Sequence, residues 1–197
     1  MSDLIDIQDN FLPKKEFDHI QNQILGTEMY HFPWILSQII STTPPEHDGK
    51  DPRELYGEEL LDKRYTNNIQ LCHGFYDRHS PCGETIEIIY PILQKIQPVV
   101  ILRIKANLLM RRDTIIESNM HNDVVDIDRY VNADFLRTSI FYLNTCDGYT
   151  KFENGDKVQS VANRFASFPQ SLKHCGSTCT DQPFRSVINF NYVPGDS

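Results

Sequence analysis

The sequence predicts an α+β fold, with helices in the first half of the chain and an antiparallel β core in the second. Two observations carry that expectation. Apolar residues recur at helical spacing before Pro98, and short β-type runs broken by turn signals follow it. A third bounds it: 197 residues, 40% hydrophobic and 11% aromatic, suit one domain with a sizeable core. We therefore expect a single domain over residues 1–197, in which 1–98 form a helical, supporting half and 99–193 the β core with the candidate site.

Leu4-Ile5-Asp6-Ile7-Gln8 alternates enough for a short first strand, and Asp9-Asn10-Phe11-Leu12-Pro13 reads as a turn into a helix. Phe17, Ile20, Ile24 and Leu25 then mark one apolar face, which predicts an amphipathic helix to about Leu25 packed on a sheet. Residues Ser41 to Lys63 are rich in Pro, Asp, Glu and Gly and read as a long polar connection, a candidate segment for covering a ligand. A strand is expected from about Asn67 to Phe75. Glu84 to Gln97 carries Ile88, Ile89, Ile92, Leu93 and Ile96, a second helix in which Pro91 marks a kink or the true first turn. Beyond Pro98, strand-like runs cover Val99–Met110, Thr138–Leu143, Arg164–Phe168 and Ser186–Val193. Asp147-Gly148, Asn154-Gly155-Asp156 and Pro169-Gln170 separate them, the pattern of an antiparallel sandwich or barrel.

Charge and termini narrow the function classes. A formal net charge of -8 argues against a dedicated nucleic-acid binder, because phosphate backbones reward Lys and Arg. Arg111-Arg112 and Arg103/Lys105 are the visible basic clusters, and we read them as solvated strand ends. No apolar run approaches the roughly 20 residues of a membrane span. The start of the sequence lacks a basic region followed by an apolar stretch, so the cytoplasm is the expected location. The five cysteines are expected to be reduced thiols. Cys72, His73, His79 and Cys82 offer two thiolates and two imidazoles to zinc, but adjacent Cys72 and His73 would face opposite sides of a strand, and the spacing is not a paired knuckle. We read that run as coincidence.

The residues that carry chemistry lie later. His121-Asn122-Asp123 places two potential metal ligands two residues apart, on one face if the segment is extended, and His174 can supply a third from another part of the β core. Two imidazoles and a carboxylate form a facial triad that leaves half of an octahedral ion open, an arrangement suited to Fe(II). A His-x-Asp pair alone is common. Eleven positions beyond His174, however, Arg185 opens the apolar run Arg185-Ser186-Val187-Ile188-Asn189-Phe190, where a guanidinium is costly to bury without a partner. Such a group clamps a carboxylate bidentately, as 2-oxoglutarate would supply, or else pairs with an acidic side chain of the protein.

These residues, with Arg137-Thr138-Ser139-Ile140-Phe141-Tyr142-Leu143-Asn144, Asp147-Gly148-Tyr149-Thr150-Lys151-Phe152 and Arg164-Phe165-Ala166-Ser167-Phe168-Pro169, make the second half resemble the prolyl-hydroxylase-type 2-oxoglutarate/Fe(II) dioxygenases. The likeness spans about residues 100 to 193, and the start of the chain is similar to the helical half of small microbial and phage members. The resemblance implies a double-stranded β-helix (jelly-roll) core, with iron on His121, Asp123 and His174, and dioxygen and 2-oxoglutarate as co-substrates. It implies Arg185 as the partner of the distal carboxylate of 2-oxoglutarate. Tyr142 is either a second contact to that carboxylate or an ordinary core aromatic, and Asn107 is a further candidate contact.

Many relatives carry lysine where this chain has Arg185, and paired glycines where it has Asp147-Gly148-Tyr149. The implied activity is hydroxylation of a primary substrate, a prolyl residue of a peptide or a small molecule, with activity falling toward pH ~6 as the ligand imidazoles protonate. A non-catalytic jelly-roll module that binds a metal or other ligand is the alternative. Asp113–Asn119 is the second candidate covering segment.

Overall fold

The structure, a computed structural model, describes residues 4–26, 32–37, 70–123 and 135–195. The Ser41–Lys63 connection lies outside them. In chain order the elements are β1 (Asp6–Gln8), α1 (Lys14–Leu25), β2 (Ile35–Ser37), β3 (Gln70–Asp77), β4 (Ser80–Pro81), a 3-10 helix (Glu84–Ile89) and α2 (Tyr90–Ile96). There follow β5 (Pro98–Met110), β6 (Arg137–Tyr142), β7 (Tyr149–Phe152), β8 (Lys157–Gln159), β9 (Arg164–Pro169), β10 (His174–Gly176) and β11 (Phe184–Pro194).

Two antiparallel sheets result. The larger runs β1-β9-β6-β11-β5-β3-β2, with β4 paired to β3, and the smaller runs β10-β7-β8. Strand alternation divides the larger sheet between two apolar layers. Phe75, Ile104, Ala106, Phe141, Phe165, Ile188 and Phe190 project to one side, where Phe17, Ile20 and Ile24 of α1 and Ile86, Ile89 and Ile92 cover them. Ile140, Tyr142, Ala166, Phe168 and Val187 project to the other and meet Phe152 and Val158 of the smaller sheet. The two sheets are thus layered over a shared core, with the helices behind the larger one.

The helices form as their residues dictate. Pro13 stands at the N-cap of α1, and the Gly26 N–H closes its end on the Asn22 carbonyl at 2.8 Å. Pro91 lies in the first turn of α2, where its missing N–H leaves no hydrogen bond unmade, and the predicted long helix is instead a 3-10 turn followed by α2. Before α1, Asn163 takes the place of a strand neighbour. Its side chain accepts from the Leu12 N–H at 2.9 Å and donates to the Leu12 carbonyl at 2.8 Å, while its own carbonyl accepts from the Phe11 N–H. Phe11 stacks on Phe165 with centroids 4.2 Å apart, and Asp9 grips Arg164 through both carboxylate oxygens. No described helix is long and apolar enough to cross a membrane.

Candidate metal centre

The site forms where the polar part of the larger sheet faces the smaller one. After β5 the chain crosses to β10 and follows it. Thr178 N–H donates to the Ile116 carbonyl and Ser118 N–H to the Gly176 carbonyl, and His121 and His174 exchange backbone hydrogen bonds of 2.9 and 3.0 Å. Asp113–Asn119 is therefore an irregular edge tied to β10, with Glu117 held by Tyr149 and Lys151 at 2.7 Å each, and its Ser118 lines the cavity. His121 is joined by a single bridge and Asp123 lies in a bend, so the expected extended strand over 121–123 does not form. The bridge to His174, not the period of a strand, brings the three side chains together.

Their geometry is close. One ligand atom from each of His121, Asp123 and His174 lies within 4.8 Å of the others. The His121 Nδ1–H donates to the Asn119 carbonyl at 2.9 Å, which puts the lone pair on Nε2, 3.6 Å from Asp123 Oδ1. His174 Nε2 lies 3.9 Å from Asp123 Oδ2. The His174 ring is buried, and neither nitrogen has a well-formed hydrogen bond. Burial holds its pKa down to about 4 against the opposing pull of Asp123, so the ring is neutral and able to ligate. Burial also opposes charge on His121, but its hydrogen bonds to Asp123 and Asn119 prevail and raise its pKa. Burial pushes the Asp123 carboxyl up, yet His121, His174 and Arg103 together carry it well below the usual carboxylate range.

Asp123 has further partners that the sequence did not reveal. Its side chain is 5% exposed, with Oδ1 3.1 Å from Arg103 Nη2 and Oδ2 accepting from Asn191 and Asn189 at 3.1 and 3.3 Å. Arg103 is thus no solvated strand end. It shares a face of β5 with Lys105 and Asn107, and all three line the same cavity as the triad. Arg111, by contrast, is exposed as expected.

On the other side of this cavity, which measures about 230 Å³, stand Arg185 and Thr150. Arg185 is 3% exposed. Its Nη2 donates to Thr150 Oγ1 at 3.0 Å, and its Nε is buried without a partner. No acidic side chain of the described residues pairs with it, so the structural ion-pair alternative is not realised there. Tyr142 is fully buried and donates its hydroxyl to the same Thr150 oxygen at 2.9 Å. A threonine hydroxyl has two lone pairs and one proton. Tyr142 and Arg185 occupy the lone pairs, which leaves the Thr150 proton for an acceptor in the cavity. Tyr142 packs in the core and is not among the residues lining the cavity; its hydroxyl touches the cavity wall through Thr150.

The other thiol and imidazole groups do not repeat this arrangement. His73 uses both ring nitrogens, on the Pro33 carbonyl at 3.0 Å and Thr85 Oγ1 at 2.8 Å. Cys72 points its thiol at Asn107, while His79 sits exposed at a left-handed turn with φ 66°. Cys146, Cys179 and Asp181 do converge. Burial raises the Cys179 thiol to about 11, and Asp181 is already accepting from the Asp147 N–H.

The donor set fits a metal ion. Two imidazole nitrogens and a carboxylate converge to within 4.8 Å of one another, and a buried ring with unsatisfied nitrogens is what a metal ligand looks like without its ion. Comparison with solved structures agrees at the level of the fold. A prolyl hydroxylase from Trichoplax adhaerens, solved with a hypoxia inducible factor oxygen degradation domain peptide fragment, matches over 98% of this chain and 84% of its own, with a TM-score of 0.55 and 13% identity. A viral collagen prolyl hydroxylase from Paramecium Bursaria Chlorella virus-1 matches over 100% and 98% of the two chains, with a TM-score of 0.49 and 15% identity. A 2OG-Fe(II) oxygenase family oxidoreductase from Burkholderia pseudomallei matches over 64% and 67%, with a TM-score of 0.47 and 14% identity. The fold-level likeness rests on the Trichoplax enzyme, which superposes best of the three. No protein-family model and no curated protein matches the sequence. The fold is therefore similar to that of a solved prolyl hydroxylase.

Proposed function

We propose that this protein is a non-haem Fe(II) oxygenase that couples oxidative decarboxylation of 2-oxoglutarate to hydroxylation of a substrate carbon. The observation that carries the reading is the convergence of His121, Asp123 and the unsatisfied His174 ring beside a cavity that also holds Arg185 and Thr150. In this reading the two sheets are a double-stranded β-helix within one domain over 1–197, acting in a reducing compartment such as the cytoplasm, in keeping with five free thiols. Hydroxylation of a prolyl residue, in a peptide or as the free amino acid, is the finer form of the proposal.

Each residue has a distinct task. His121, Asp123 and His174 hold the ion. When bound, Fe(II) supplies the redox chemistry in which dioxygen and 2-oxoglutarate yield succinate, carbon dioxide and a hydroxylated substrate. The Asn119 carbonyl fixes the His121 tautomer, and Asn189, Asn191 and Arg103 fix the Asp123 carboxylate. Arg185 and the Thr150 hydroxyl donate to the distal carboxylate of 2-oxoglutarate, and Tyr142 holds Thr150 so that its proton faces that carboxylate.

Anaerobic titration of Fe(II) and 2-oxoglutarate tests the proposal through the weak visible charge-transfer band of the chelate. The band is expected in the wild type, to be lost in His121→Ala, and to need far more 2-oxoglutarate in Arg185→Gln. A folded, iron-loaded wild type without the band would leave a ligand-binding module as the better account.

A further inference from the structure

Resting on that reading, we infer that Lys105 is the binding group for a carboxylate on the primary substrate, distinct from the carboxylate that Arg185 holds. Lys105 lies on β5 between Arg103 and Asn107 and lines the cavity with the triad. It is half-buried, and no described side chain forms an ion pair or hydrogen bond with it. The chain has 27 acidic residues against only 19 lysines and arginines, yet none of the described acidic side chains is placed on it. The neighbouring cations are treated otherwise: Arg103 is paired with Asp123, and Lys151 and Lys157 converge on Glu117. Residues two apart on a strand share a face, roughly 7 Å between Cα atoms, so Arg103 and Lys105 are like charges side by side in a confined space. Their proximity gains the fold nothing, whereas an anion between them and the metal centre would relieve it.

Charge accounting leads to the same place. Among the described residues, the cavity walls carry Arg103, Lys105 and Arg185 against Asp123 alone. A divalent cation and the 2-oxoglutarate dianion cancel one another on binding, so the positive excess persists for the second ligand. Position separates Lys105 from the co-substrate. Its backbone partner on β11 is Asn189, while the partner of Arg185 is Leu109. The four steps from 185 to 189 span roughly 13 Å along a strand. Lys105 therefore stands level with the Asp123 side of the centre, where Asn189 contacts Oδ2, and away from the Arg185 end.

The test uses the intact protein loaded with Fe(II) and 2-oxoglutarate. A panel of free amino acids, proline among them, is assayed beside the matching carboxamides, together with proline peptides carrying Glu or Gln next to the proline. Two readouts are taken: perturbation of the charge-transfer band without oxygen, and stimulated succinate release with oxygen. We expect carboxylates to perturb and stimulate, amides not to, and Lys105→Met to weaken the effective carboxylate by about tenfold or more. Lys105→Arg should keep most of the affinity, and the affinity of Lys105→Met for 2-oxoglutarate should stay within about twofold of wild type. Free amino acids and Glu peptides as separate arms identify the source of the carboxylate. The inference is overturned if no carboxylate acts, if neutral compounds act equally, if the carboxylate preference survives in Lys105→Met, or if 2-oxoglutarate affinity falls instead. Absence of the band in wild type would refute the oxygenase reading itself, a separate result.

Discussion

Replacing Thr150 by Val removes one oxygen that serves two donors. Tyr142 is fully buried and its hydroxyl has no other acceptor among the described residues, so the loss strands a buried polar group at about 1–3 kcal/mol. Arg185 loses one charge-assisted bond but can turn toward water in the cavity, which softens that part of the cost. A net destabilisation of about 2 kcal/mol is therefore expected, a fall in Tm of roughly 4–8 °C for a chain of this length. The same oxygen carries the proton assigned to the co-substrate, so the Kd of 2-oxoglutarate should rise about tenfold. Thermal unfolding of the metal-free protein and anaerobic titration of the Fe(II) form measure the two effects separately. Thr150→Ser restores the hydroxyl and should recover both. If Thr150→Val melts and binds like wild type, Thr150 is not the junction described. If Thr150→Ser fails as Thr150→Val does, the methyl group and not the hydroxyl matters.

Three further outcomes follow from the geometry. Asn191→Leu removes a donor to Asp123 Oδ2 and should weaken metal binding about 10- to 100-fold with the ligands intact, read by competition with a chelating dye. Gly148→Ala would put a methyl 2.7 Å from both Arg185 Cδ and the Thr178 carbonyl, so it should cost about 1–3 kcal/mol and loosen 2-oxoglutarate binding; an unchanged Tm would contradict the tight approach. Burial lowers the His73 pKa, with the Pro33 carbonyl opposing it in part. The unfolded chain then binds the extra proton more readily, so stability is intact above about pH 6.5 and falls as pH drops from there toward the depressed folded value. Urea midpoints of metal-free wild type and His73→Gln at neutral and mildly acidic pH check this, and the variant should show the shallower decline.

Much of the site was legible because its chemistry is concentrated in short motifs. His121-x-Asp123, His174 and Arg185 could be named from residue type and order, and the strands on either side from their alternation. Their two-residue spacing does not itself position the first pair, since no strand runs through 121–123 and a cross-bridge to His174 does so instead. Arg103 was misread because nothing local in Leu102-Arg103-Ile104-Lys105 distinguishes a solvated face from a cavity wall. Only the pairing of β5 with β11, which sets Arg103 opposite Asn191, turns it toward Asp123. Thr150 escaped notice for a similar reason. Its weight comes from two donors eight residues before and 35 residues after it, and a lone threonine in a strand is unremarkable in sequence.

The place of β11 in the larger sheet bears on how the protein comes to be folded. It lies between β5 and β6, yet follows every one of its sheet neighbours in sequence. During synthesis β5 and β6 must wait with open edges until it arrives, and neither side of the sheet can close before then. Arg185, Asn189 and Asn191 arrive on the same strand. Completion of the sheet and of the polar pocket thus becomes one late event, and until it occurs Asp123 lacks the amide donors that hold its carboxylate.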